Sequence, residues 1–305
     1  MSGTSSTVMT DSLHHAADTL AAGGDHGGEH GGNMFAELLH HVQDSGELEL
    51  PFGHITLPQF DPFTIAGISL DLSITKHVVF LWLSALLLVA LATMAGRKNS
   101  KGSVPTGFGN LVEIFVVFIR DEVAVPNMGT AGIRYVPYLL TTFFFILTMN
   151  LMGLFPYGAS ATGNVSVTAG LAIIAFIMIQ VSAIRAQGFG HYLAHLTGGV
   201  HWLLWPIMVP IEILGLFTKP FALCIRLFAN MTGGHIVIVA LLGLIFIFKS
   251  YVVAIGPFGF VLGIMLLELF VAFLQAYIFT MLTSLFMGLG MQVAEGHEAE
   301  DHVSH

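Results

Sequence analysis

The chain has 305 residues, 55% of them apolar and only 10% charged, with a mean hydropathy of +0.81 and a formal net charge of −9. A soluble globular chain carries about a quarter charged residues, so a single soluble domain is excluded, as are a disordered and a collagen-like chain. One cysteine, Cys224, excludes an internal disulfide scaffold, and the acidic balance excludes a nucleic-acid partner, which needs clustered Lys and Arg.

Residues 1–75 form an acidic leader with ten Asp and Glu and no Lys or Arg. It lacks the basic and apolar regions of a secretory signal and the arginines of a transit peptide. His14, His15, His26, His30, His40, His41 and His54 fall here, and Asp25-His26-Gly27-Gly28-Glu29-His30 has ligand types suited to weak transition-metal binding. The surrounding glycines leave the arm too loose to preorganise ligands, so it reads as a soluble acidic arm and no metal site is assigned. Residues 76–291 form the membrane domain. Residues 292–305, with Glu295, Glu298, Glu300 and Asp301, form an acidic tail.

A crossing helix needs about 20 apolar residues. The first runs from His77 to Gly96 and meets Arg97, Lys98 and Lys101, which the positive-inside rule places in the cytoplasm, with the leader outside. Gly107–Val125 carries Glu113, Arg120, Asp121 and Glu122 opposite a stripe of Leu111, Phe115, Phe118, Ile119 and Val123. It is expected to be an amphipathic helix on the cytoplasmic surface or a shallow hairpin, not a crossing. Tyr135–Phe155, stopped by Pro156, is the second crossing, and Asn164–Ile184, ending at Arg185, the third. Tyr192, Trp202 and Trp205 suit interfacial anchors in the loop that follows. Pro206–Phe248 and Tyr251–Leu289 are each far longer than the bilayer needs. They are expected to form a long, tilted or broken antiparallel hairpin turning near Lys249–Pro257. The expected fold is thus an all-α polytopic membrane protein with about five crossings and a cytoplasmic C-terminus.

Ionisable groups at membrane depth are costly and mark function by default. The fourth span holds Glu212, Lys219, Arg226 and His235, and the fifth Glu268 and Gln275. Glu212, Lys219 and Arg226 share a face by their spacing of seven. A hairpin turning near residue 251 places His235 level with Glu268 and Arg226 level with Gln275. A buried ion pair that merely holds helices together accounts for His235 and Glu268, but not for Arg226. No acid is expected at its depth, and a guanidinium cannot shed its proton. Its partner must be water or another polypeptide. Glu212 and Lys219, near the cytoplasmic end, can reach the interface instead.

Lys219-Pro-Phe-Ala-Leu-Cys-Ile-Arg226-Leu-Phe-Ala-Asn230-Met resembles the signature of subunit a of F-type ATP synthases. Leu274-Gln275-Ala276-Tyr277-Ile278-Phe279, Met149-Asn150-Leu151-Met152-Gly153-Leu154-Phe155-Pro156 and Asn164-Val165-Ser166-Val167-Thr168 resemble three further segments of that family, in the same order. The resemblance spans about 75–290 and leaves out the leader. Ala222 stands where the family usually has Ser.

The resemblance implies an ion-conducting stator subunit in a bacterial plasma membrane. Its partners would be a ring of c subunits, peripheral-stalk b subunits and the rest of the complex, with no cofactor. Arg226 would face the ring carboxylates. His235 and Glu268 would form the access path from the outer side, exchanged relative to the best-studied bacterial members. Glu212 would mark the cytoplasmic opening, and Asn230, Gln275 and Asn150 would be polar positions on the proton path. Arg226 would favour the charged form of a passing carboxylate and block direct leakage, while His and Glu relay protons. On an ideal helix Arg226 and His235, nine apart, point about 180° from each other. Either His235 faces away from the ring, or Gly233 and Gly234 distort the helix.

Two other classes fit a polar-studded membrane chain. A redox-driven proton pump would carry several intramembrane Lys and Glu along one axis, whereas here one cluster centres on Arg226. A metal transporter would want paired His, Asp or Cys at i, i+4 within the spans. No GxxxxGK[ST] motif occurs, so nucleotide chemistry is not expected on this chain.

Overall fold

The computed structural model describes residues 47–50, 53–56, 63–65, 68–70, 75–99, 107–155, 160–190, 192, 205–248 and 251–303. The His-rich stretch of the leader lies outside them. Two short antiparallel hairpins precede the membrane domain. β1 (Glu47–Leu50) pairs with β2 (Gly53–Thr56), and β3 (Phe63–Ile65) with β4 (Ile68–Leu70). The Glu-Leu-Glu-Leu alternation of β1 is the period-two pattern of a half-buried strand. These hairpins are an addition to the all-helical expectation. The described residues of the membrane domain are helical apart from short turns.

Helix α1 (Lys76–Asn99) forms where Leu and Ala dominate and neither Pro nor, before residue 96, Gly interrupts. Helix α2 (Phe108–Phe118) continues into a π turn at Ile119–Ala124. Pro126 lies just beyond it and has no N–H to give the carbonyl of residue 122. At Gly129 the chain turns with φ 61°, a conformation that favours glycine. A 3-10 segment, Gly129–Tyr135, then leads into α3 (Val136–Gly153), which opens on Pro137 as helix starts often do.

Helix α4 (Val165–Gln187) is capped by the Asn164 side chain, which accepts the Ser166 N–H at 2.8 Å, and it ends at Gly188 with φ 80°. Helix α5 (Trp205–Phe248) runs 44 residues and α6 (Tyr251–Val303) runs 53. At ~1.5 Å per residue these are ~66 and ~80 Å long, against a hydrocarbon core of ~30 Å, so neither stands upright in a bilayer.

Among the described residues, five helical stretches are long and apolar enough to cross a membrane. They are Lys76–Gly96, Gly109–Gly153, Val165–Gln187, Trp205–Leu241 and Gly256–Met291. The second contains the turn at Gly129. Across that turn Phe115 meets Phe143 with ring centroids 5.6 Å apart, the contact of a hairpin. The α2 segment also packs along α6: Phe115 stacks on Phe273 at 6.3 Å, and Ser284 donates to the Val123 carbonyl. Of the two readings of this amphipathic stretch, these contacts fit the hairpin.

The structure divides into two units, Thr232–Glu268 in one and Gly46–Met231 with Leu269–His305 in the other. In the larger unit a continuous core joins Ile119, Val123, Leu139, Phe143, Ile146, Leu223, Leu227, Phe279 and Met287. Small residues let the backbones close. A Cβ on Gly288 would strike the Asn127 carbonyl, and one on Gly290 would lie 2.8 Å from the Ala183 Cβ. Backbone cannot swing aside as a side-chain tip can. Gly288→Ala is therefore expected to destabilise the subunit by roughly 1–3 kcal/mol, the usual cost of overpacking. The readout is a lower unfolding midpoint and reduced yield of assembled complex, against a control Gly170→Ala, where nothing lies within 4 Å.

Candidate functional site

Helix α5 has two unlike faces around residue 226. Pro220, Leu223, Cys224, Leu227 and Met231 recur at helical spacing and are buried. Phe221, Ala222, Ile225, Arg226, Ala229 and Asn230 are exposed. Arg226 thus sits on an outward face whose large residues, Phe217, Phe221 and Ile225, are apolar. Among the described residues it has no ion-pair partner, and the one ion pair there joins Arg120 to Asp121, elsewhere in the chain. Gly215, Ala222 and Ala229 recur every seven residues on that outward side.

One turn beyond Arg226, Asn230 donates to the Gln275 side-chain oxygen at 2.7 Å. Gln275 is 2% exposed, and its amide nitrogen has no hydrogen-bond partner among the described residues. The numbering had placed Gln275 level with Arg226, and the structure sets it one turn away, at Asn230. In the same unit Lys219 Nζ lies 4.9 Å above the Phe286 ring, a cation–π contact. Both pairs have residue numbers summing to more than the 502 implied by a turn at 251. Helical side chains lean toward the N-terminus of their own helix, so tips that meet across an antiparallel pair carry higher numbers than Cα atoms at one level.

In the smaller unit, Glu268 is 5% exposed, and neither carboxyl oxygen has a hydrogen-bond partner among the described residues. Its seat is Gly234. A Cβ there would come within 2.7 Å of the Glu268 Oε1, so the absent side chain makes room for the carboxyl group. Thr232 has a buried hydroxyl without a partner among the described residues. A carboxyl group so placed needs a proton or a polar partner. His235, the residue after Gly234, is the titratable group adjacent to that seat in sequence. Its side chain lies outside the described ones. The helix continues through Gly233 and Gly234 without a break.

Glu212 is half-buried and near Tyr192, whose phenol is pushed up first by burial and then by the Glu212 charge. The Tyr192 hydroxyl donates to Gln180. Asn150 is fully buried and belongs to a chain of polar contacts that the sequence did not reveal. The Asn150 carbonyl oxygen accepts from the Thr162 hydroxyl at 2.7 Å, and its amide reaches the Ala272 carbonyl at 3.4 Å. Thr162 and Ser160 hydroxyls lie 2.7 Å apart, and the His77 ring meets the Ser160 carbonyl at 3.0 Å. A Ser and a Thr flanking a residue in the 160–162 stretch were the visible signal. Their link to His77, 83 positions away, was not visible. Of the residues singled out from sequence, the structure joins Asn230 to Gln275 and leaves Arg226 open. It seats Glu268 on Gly234 and ties Asn150 into the buried chain.

The family profile for "ATP synthase A chain" matches residues 78–288. The chain is 52% identical to "ATP synthase subunit a" of Chlorobium phaeobacteroides over 300 residues, covering 96% of this chain and 85% of that one. The chain belongs to the ATP synthase subunit a family. Identity with "ATP synthase subunit a" of Myxococcus xanthus is 57% over 235 residues, covering 76% and 77% of the two chains. "ATP synthase subunit a 2" of Chlorobaculum tepidum matches at 53% over 269 residues, covering 87% and 75%. As a member of the ATP synthase subunit a family, the chain is a multi-pass, proton-translocating subunit of the membrane sector and not a catalytic subunit on its own. Membership sets aside the redox-pump and metal-transporter readings.

Proposed function

We propose that this subunit forms two laterally offset proton half-channels against a rotating ring of c subunits, so that proton flow requires the ring to turn. The observation that carries this reading is Arg226: a permanent cation on an exposed helix face whose large residues are apolar, without an ion-pair partner among the described residues. A face of that kind suits a moving carboxylate on a neighbouring polypeptide. Beside Arg226 the carboxylate is favoured in its charged form and releases its proton; past Arg226 it takes another and re-enters lipid neutral. Arg226 cannot relay protons itself, so it separates the two half-channels.

Around it, His235 and Glu268 serve the outer half-channel as a proton-accepting pair in a seat that Gly234 leaves open. Gln275 pins Asn230 one turn from Arg226, which fixes the polar surroundings of the exchange point. Asn150 and its hydroxyl neighbours provide a buried polar line, and Glu212 marks the cytoplasmic opening. The leader faces outside and the C-terminus the cytoplasm of a bacterial plasma membrane, following the basic loop at Arg97–Lys101. Peripheral-stalk b subunits would hold the chain still while the ring turns.

Gly215, Ala222 and Ala229 let a partner helix approach closely on the Arg226 face. Ala222→Cys and Ala229→Cys are therefore expected to form disulfide cross-links to cysteines placed in the outer helix of a c subunit, near its carboxylate. The check is gel electrophoresis of oxidised membranes. Cross-linking from Leu223→Cys, on the buried face, with none from residue 222 or 229, would sink this placement.

A further inference from the structure

The cluster left over by the proton path lies where α4 ends and α3 begins, beside α6. A cavity of about 120 Å³ is lined by Arg134, Tyr135, Ser182, Arg185 and Met291, with two alanines. Arg134 closes the 3-10 segment just before α3, Arg185 lies in the last turn of α4, and Met291 ends the apolar stretch Gly256–Met291. All belong to the larger unit. The chain has ten basic residues, and two of them meet here without a carboxylate in the lining. Neither arginine has an ion-pair partner among the described residues, whereas Arg120 is held by Asp121 at 2.7 Å. Both side chains are exposed, and two guanidiniums lining one cleft offer an anion a doubled positive charge.

The cleft has space for several waters, and so for a phosphate group. Guanidinium forks match phosphate oxygens in pairs, and the Tyr135 phenol adds a donor. The Ser182 hydroxyl is already given to the Ile179 carbonyl, so it offers an acceptor only and is not counted among the donors. The level is also telling. The cleft sits beside the Gly129 turn and at the ends of two apolar stretches, Val165–Gln187 and Gly256–Met291, a place that suits headgroup depth. Basic pockets between membrane helices are suited to anionic headgroups.

We propose that Arg134 and Arg185 bind the phosphodiester headgroup of an anionic phospholipid, clamping the end of α4 to the start of α3 and the end of the α6 span. The cleft is separate from the proton path, so this site stands or falls independently of it.

The test uses the assembled, detergent-purified complex. Phospholipid retained after extensive washing is quantified by mass spectrometry, with phosphatidylglycerol as the probe and phosphatidylcholine as the neutral comparison. Retention of one phosphatidylglycerol per complex at this site is expected to fall about tenfold in the Arg134→Gln/Arg185→Gln variant. The Arg134→Lys/Arg185→Lys variant, which keeps charge but loses the forks, is expected to fall between. Arg120→Gln, already outside the cleft, is expected to match wild type. Unchanged retention in the glutamine variant would overturn the proposal, as would equal loss in the Arg120 control. A third arm adds inorganic phosphate during washing. Complete displacement of the lipid by phosphate, with phosphate then bound in its place, would show a free-anion site and overturn the lipid assignment.

Discussion

Arg226→Ala is expected to abolish ATP-driven proton pumping while the complex still assembles. The side chain is exposed, and its loss leaves the buried stripe of Leu223, Cys224, Leu227 and Met231 intact, so packing has little to lose. The electrostatic loss is large. An opposite charge within a few ångströms lowers a carboxyl group by about 1–3 pKa units. Without it, release of a proton at the exchange point is disfavoured by roughly ten- to a thousandfold. The barrier between the half-channels also goes, so passive proton leak is expected to rise as pumping falls. Arg226→Lys keeps a charge but not the fork, and is expected to pump weakly. Fluorescence quenching in inverted membrane vesicles measures the pumping, and its recovery after an imposed gradient measures the leak. Wild-type pumping in Arg226→Ala would remove the basis of the account.

The second large effect concerns Glu268. Glu268→Ala and His235→Ala are each expected to lower coupled proton flux by roughly a hundredfold, the lower end of what a positioned proton-transfer group contributes. Glu268 is buried without a hydrogen-bond partner among the described residues and rests against Gly234. Its role as a member of a pair with His235 predicts more than loss. The double exchange, His235→Glu with Glu268→His, keeps both groups at one depth and is expected to recover part of the flux lost in either single change. Flux in the exchanged protein no better than in the alanine variants would count against a shared site. Gly234→Ala gives an independent probe of the same seat, because its methyl group must push the Glu268 carboxyl group aside.

Much of this was legible because a bilayer punishes the wrong residue more heavily than water does. Four of the expected crossings came within a few residues of a helix, while the last helix runs on to Val303 and the second apolar stretch reaches back to Gly109. Lys76–Asn99 was marked by its Leu-rich run and the basic cluster after it, and Val136–Gly153 by an apolar run stopped at Pro156. The antiparallel arrangement of the last two helices followed from their length alone, and Asn230–Gln275 and Lys219–Phe286 now document it within the larger unit. The register at Gln275 was off by one turn because residue numbers locate Cα atoms, while contacts form at side-chain tips that lean along the helix. The β1–β2 and β3–β4 hairpins were passed over because the acid-rich leader gave composition more weight than the local Glu-Leu alternation. The seat for Glu268 was missed for a different reason. Gly233-Gly234 suggested a distorted helix, whereas at Gly234 the missing side chain matters for the space it leaves. The polar chain from His77 to Asn150 joins segments far apart in sequence, and no local period announces such a link.

The central claim is that Arg226 finds its counter-ion on another polypeptide. The most direct measurement is the separation between its guanidinium and the nearest carboxyl group in an experimental structure of the assembled complex. The account predicts an acid of a ring subunit within about 4 Å, directly or through one water. An ion pair to Glu212 or any other acid of this same chain, or a guanidinium immersed in bulk water, would contradict it.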